Sequence, residues 1–192
     1  MGLQLDNPAS PVSITEVKQH LRIDSADTTE DVYLLSLIAS ATRFVEDETG
    51  QQLSLAEAKL TLDRWPSGRE LVLPKPPLNA VTGVFYTDPT GIEQTLSPAA
   101  YTVDATGKPG RIVLRPGQSW PATDGSANCI RIEFDAGYPT PDAVPSNLRH
   151  VILLQVGHWF ENREAATDRT ITEVPLTLRS ILAMNSFPEA VG

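Results

Sequence analysis

Eleven of the chain's sixteen prolines fall between Pro66 and Pro141. Proline lacks an amide proton and its ring clashes with the preceding helical turn. The middle of the chain is therefore confined to short extended segments and turns, and helices are pushed to the two ends. The spacing of apolar residues changes in step. Ser13-Ile14-Thr15-Glu16 has the form of a capping box, and Ile14, Val17 and Leu21 follow at helical intervals. A longer helix is expected after a cap at Thr28 or Thr29, with Glu30 and Asp31 in its first turn, where acids complement the helix dipole. Its predicted apolar stripe is Val32, Leu35, Ile38, Ala41, Thr42 and Val45, and Gly50 is placed for a left-handed C-cap.

Beyond residue 57 the period becomes two. Lys59-Leu60-Thr61-Leu62-Asp63 alternates, as does Cys129-Ile130-Arg131-Ile132-Glu133-Phe134-Asp135, with Ile130, Ile132 and Phe134 facing a core. Shorter strands are predicted at 70–73, 81–87, 101–104 and 111–114. Turn sequences such as Asp88-Pro89-Thr90-Gly91 and Lys108-Pro109-Gly110 separate them. Strands of this number and spacing form a small antiparallel sandwich or barrel-like unit. Ser146 then caps a run to about residue 161 that is apolar nearly all round and reads as a buried central helix. A polar stretch, 162–172, leads to a last short helix with Pro175 in its first turn and Leu178, Ile181 and Leu182 as its stripe. The predicted fold class is α+β. Residues 1–57 and 145–192 form a small helical bundle, neither part burying its stripe alone, and 58–144 is an inserted antiparallel β-rich domain.

The 192 residues carry 15 Lys and Arg against 24 Asp and Glu, a net charge of −9. An acid excess argues against a protein that grips nucleic-acid phosphates. The excess is local, since residues 1–57 hold 10 acids and 3 bases, a net of −7. No apolar run approaches the ~20 residues of a membrane span, and the first residues lack the pattern of a signal peptide. A protein made in the cytoplasm and independent of membranes is expected. The single cysteine, Cys129, excludes an internal disulfide.

Catalytic chemistry finds little support. His150 and His158 are eight residues apart, the wrong spacing for a metal pair on one helical turn. Cys129 reads as a small buried residue rather than a nucleophile. The Gly107-Lys108-Pro109-Gly110 turn lacks the spacing and the trailing Lys-Ser/Thr of a phosphate loop. Consecutive Glu46, Asp47 and Glu48 point to different sides of a helix and do not make an acid–base pair. The expectation is a protein that is not an enzyme, with no catalytic, cofactor or metal site.

One composite pattern is specific. Val12-Ser13-Ile14-Thr15-Glu16-Val17-Lys18-Gln19-His20-Leu21-Arg22-Ile23-Asp24 precedes a helix containing Leu34-Leu35-Ser36-Leu37-Ile38-Ala39-Ser40-Ala41 and ending at Glu46 and Thr49-Gly50. Later come Tyr138-Pro139, then Val144-Pro145 with Leu148 through Leu154, and Trp159-Phe160 with Arg163-Glu164. In order and spacing these segments resemble the head–tail connector (adaptor) family of tailed bacteriophages. The β insert matches in kind, as in the longer members, and Gly157-His158 departs from the small or aliphatic pair expected in the central helix. The resemblance implies a structural subunit of a phage, prophage or gene-transfer particle, at the head–tail interface of the virion. Such subunits form a ring, usually of twelve copies, beneath the portal protein. They extend the DNA channel toward the stopper or tail-completion protein, and DNA passes without sequence-specific binding. It implies portal docking by the C-terminal segment, carried here by Leu178, Ile181, Leu182 and Phe187. An acidic channel lining is expected at Glu46, Asp47 and Glu48, because acids avoid holding phosphates.

Two other classes compete with this reading. A carbohydrate- or peptide-binding module carried by the β insert predicts a solvent-facing aromatic cluster, for which Trp65, Tyr86 and Trp120 are available. A hydrolase predicts that His150 or His158 converges with an Asp.

Overall fold

The computed structural model describes residues 2–6, 10–162 and 176–187. They divide into two units. One takes in the described residues of Met1–Pro8, Leu55–Tyr138 and Phe187–Gly192, the other those of Ala9–Ser54 and Pro139–Ser186.

The first unit holds eight strands, β1 (Gly2–Asp6), β2 (Ala56–Leu62), β3 (Glu70–Val72), β4 (Leu78–Thr87), β5 (Glu93–Thr95), β6 (Tyr101–Asp104), β7 (Arg111–Leu114) and β8 (Ile130–Ala136). They form a five-stranded sheet in the order β1-β2-β8-β4-β5 and a three-stranded sheet in the order β3-β7-β6. Every pairing is antiparallel. The last strand in sequence, β8, is central, with Ile132 opposite Leu60 on one side and Val84 on the other. The inward residues of both sheets meet in one apolar cluster that includes Leu60, Ile132 and Phe134 from the larger sheet and Leu71 and Ile112 from the smaller. Alternation thus produces a sandwich-like core of two open sheets, and among the described residues no barrel closes. β4 carries two register irregularities against β8. Gly83 lies at one of them, where an added Cβ would sit 2.4 Å from the Phe85 ring.

Two strands have no counterpart among those predicted. Residues 2–6, grouped above with the helical bundle, form the edge strand β1, in register with β2 from Gly2↔Thr61 to Asp6↔Glu57. The three-residue β5 pairs with the end of β4.

The second unit holds four helices, α1 (Ile14–Leu21), α2 (Asp31–Thr49), α3 (Ser146–Glu161) and α4 (Leu176–Met184). The Ser13 capping box forms: its hydroxyl accepts the Glu16 amide at 3.2 Å, and the Glu16 carboxylate accepts the Ser13 amide at 2.8 Å. Arg149 of α3 pairs with the same Glu16 carboxylate and, at 3.4 Å, with Asp142. Burial alone would raise the Glu16 pKa, but the Ser13 hydrogen bonds and Arg149 outweigh it and hold the carboxyl below its ordinary value. Buried Lys18 ties down the α1–α2 turn, pairing with Asp31 at 2.6 Å and donating to the Asp27 carbonyl at 2.7 Å.

Helix boundaries shift locally. The N-cap of α2 is Glu30, without a side-chain cap, rather than Thr28 or Thr29. Pro145 takes the N-cap position of α3, so Ser146 is its first helical residue. Gly50 closes α2 in the left-handed conformation, φ 69°, as its position predicts. The stripe of α2 also differs. Leu34, Ile38, Ala41 and Val45 are buried, whereas Val32 and Leu35 face outward. α3 is central, and between Leu148 and Phe160 only His150 and His158 are exposed. Gly157, the departure noted above, faces α1, with His20 and Leu21 3.5 and 3.6 Å from where a Cβ would stand. The polar stretch from 163 to 172 and Pro175 lie outside the described residues.

Candidate interaction surfaces

The residues weighed for chemistry do not converge. Cys129 is buried and its thiol donates to the Asp63 carbonyl at 3.3 Å. Among the described residues no group of three or more His, Cys, Asp or Glu is arranged to hold a metal. His150 and His158 stand on the outside of α3, two turns apart.

Trp65, Tyr86 and Trp120 do come together, but onto one another. Trp65 stacks on Trp120 with centroids 4.6 Å apart and rings 8° from parallel, and meets Tyr86 edge-on at 6.3 Å. Both indole N–H groups are taken by backbone carbonyls, Trp65 by Pro121 at 3.0 Å and Trp120 by Gly68 at 2.8 Å. All three rings are half-buried against the sheet core. Rings that cover one another pin loops and leave little open face for a sugar or peptide.

The three acids at the end of α2 separate. Glu46 is 3% exposed. Its carboxylate accepts the Leu53 amide and the Gln52 side-chain amide, each at 2.9 Å, and so shapes the turn after the helix. Glu46 is therefore not available to the expected channel lining: it lies on the bundle side of α2, where the buried amides of Gln52 and Leu53 need an acceptor. Asp47 and Glu48 are exposed, Asp47 pairing with Arg43 at 3.1 Å.

The C-terminal residues are also divided. Leu178 and Leu182 are buried, packed where α4 meets α2 and α3. The Gln51 side-chain amide donates to the Asn185 carbonyl at 2.6 Å, which places the end of α4 beside the end of α2. Ile181 and Phe187 are half-buried.

Two surface features escaped the sequence reading. On the outer face of the larger sheet, Asp6, Glu57 and Asp135 stand opposite one another across three strands, a row of like charges that costs stability. On α2, Val32 is 84% exposed and Leu35 54%. These large apolar side chains belong to the stripe that helical spacing assigns to the inside.

A family model for head completion proteins matches residues 12–187. The chain belongs to the head completion protein family. The match runs through the four helices described for this head completion protein and through β2 to β8, and β1 lies ahead of it. The resemblance read from the helical motifs is borne out at the level of the family. No curated protein matches the chain. Among solved structures, the chain is similar to one from the neck of an empty GTA particle computed with C6 symmetry and one from the virion of a native gene transfer agent particle. Each has a TM-score of 0.77 and 22% identity over 98% of both chains. A chain from the neck of a native GTA particle computed with C12 symmetry matches with a TM-score of 0.70 and 21% identity, again over 98% of both. At this identity the likeness is one of fold, and it extends over nearly the whole of each chain.

Proposed function

We propose that this head completion protein is a structural, non-catalytic subunit of the head–tail junction of a phage or phage-like particle. It forms a ring beneath the portal protein, extends the DNA channel, and presents a surface to the stopper or tail-completion protein. The observation that carries this reading is the family match across residues 12–187, together with a fold shared over 98% of both chains with a protein of a particle neck. Twelve copies are the proposed number, in keeping with the twelvefold symmetry of one related neck. In this reading the exposed Asp47 and Glu48 contribute to the channel wall, where acids let DNA pass without gripping phosphate. Ile181 and Phe187 contribute to portal docking, since Leu178 and Leu182 are already committed to the bundle.

The test is electron microscopy of the full chain mixed with portal rings from the same particle. A second ring stacked on the portal is the expected result. Portals that remain undecorated at saturating protein refute the reading.

A further inference from the structure

The outward face of α2 is left apolar by its own unit. Val32 and Leu35 project from its first turns, and Ser36, Ala39 and Ser40 continue the exposed face. The two hydroxyls donate within the helix, Ser36 to the Tyr33 carbonyl at 2.7 Å and Ser40 to the Ser36 carbonyl at 2.9 Å. Covering this face therefore strips little water from polar groups. The adjoining turn is rich in acids: residues 23–42 contain Asp24, Asp27, Glu30 and Asp31 and no base, and the one cation reaching in, Lys18, is buried against Asp31.

α4 carries a face of the opposite character. Arg179, Ser180, Ala183 and Met184 point outward, Met184 being 85% exposed, and residues 176–187 contain one base, Arg179, and no acid. The two faces lie at opposite ends of α2. Asn185 sits beside Gln51 at its C-terminal end, while Val32 is its second residue, so the helical rise separates them by about 25 Å.

We infer that the outward face of α4 in one copy covers the α2 face of the next, Met184 against Val32 and Leu35, with Arg179 toward the acidic 24–31 turn. The pairing deepens the proposed function and rests on it. Val32 and Leu35 lie side by side on a face otherwise made of small residues, and it is such a contiguous apolar patch, rather than a single exposed side chain, that association covers. Two unlike patches that match each other generate a ring when the rotation between copies closes.

Cross-linking tests the contact, and the buried Cys129 keeps the background low. The full-length double variant Leu35→Cys/Met184→Cys, treated with a short bismaleimide, is expected to give a ladder of covalent multimers as concentration rises. Each single variant is expected to stay monomeric. Adding Arg179→Glu is expected to cut the ladder at least tenfold with an unchanged melting temperature. Products that stop at the dimer, or single variants that link as well as the pair, overturn the inference. If the double variant links nothing while the unaltered chain forms rings under the microscope, this contact falls and the ring reading stands. If portals mixed with the unaltered chain stay undecorated and the double variant links nothing, both fall.

Discussion

Glu46 is the residue whose role changes most between pattern and structure. In sequence it is one of three consecutive acids. In the fold it is the acceptor that organises Gln52 and Leu53 after α2. Removing a buried acceptor leaves its donors unpaired, so Glu46→Ala is expected to destabilise the chain by about 1–3 kcal/mol. Urea unfolding measures this, and a loss no larger than that of exposed Glu48→Ala contradicts it. Asp104 and Asp88 act at the surface in a different way. The Thr106 hydroxyl first, then Arg111, holds the Asp104 carboxyl at about 2. The Thr90 hydroxyl first, then Gln94, does the same for Asp88. The folded state thus favours both ionised forms. Their contribution to stability is complete above the ordinary value of 3.8 and is lost as pH falls through about 2. Carboxyl NMR titration of Thr106→Val is expected to show the Asp104 midpoint moving up from about 2 toward 3.8, with Asp88 unmoved.

At the scale of elements, α1 is short and depends on its cap. Ser13→Ala removes the acceptor for the Glu16 amide and is expected to cost about 0.5–2 kcal/mol, read from chemical denaturation. Ser13→Asp, which can still accept, is expected to recover most of it. Elements whose signal is local were legible in the sequence. The capping box, the Gly50 terminus and the alternation at 130–135 all appear where their residues predict. Strands β6 and β7 begin and end at the predicted residues. What failed was non-local. Gly2-Leu3-Gln4-Leu5-Asp6 alternates, but its partner β2 lies beyond both first helices, and nothing nearby in sequence announces that pairing. β5 is Glu-Gln-Thr and has no apolar signature at all. The α2 stripe failed for a third reason. Val32 and Leu35 share helical spacing with Ile38 and Ala41, as does Leu34, and spacing alone does not say which leucine turns inward. That ambiguity hid the candidate site, because the outward face of α2 is made of the residues assigned to the core. The aromatic triad was legible as a set of residues, while its mutual stacking depended on loops far apart in sequence.

For the whole molecule, the order of strands in the larger sheet matters as much as its composition. β8 is bonded on one side to β2 and on the other to β4. Without it, β1-β2 and β4-β5 are two separate ribbons with uncovered apolar faces, and isolated two-stranded ribbons are marginal in water. A chain ending at residue 128 is therefore expected to lose the strand signal in circular dichroism and to aggregate, whereas the full chain unfolds reversibly in urea. The same arrangement governs how the protein emerges from the ribosome. Of the larger sheet's strands, synthesis delivers β1 first and the central strand β8 last. The earlier strands must wait with their edges and apolar faces open until residue 136 clears the exit tunnel. The vulnerable period of this protein's life is thus during translation, and chaperone demand is set there rather than by the finished fold.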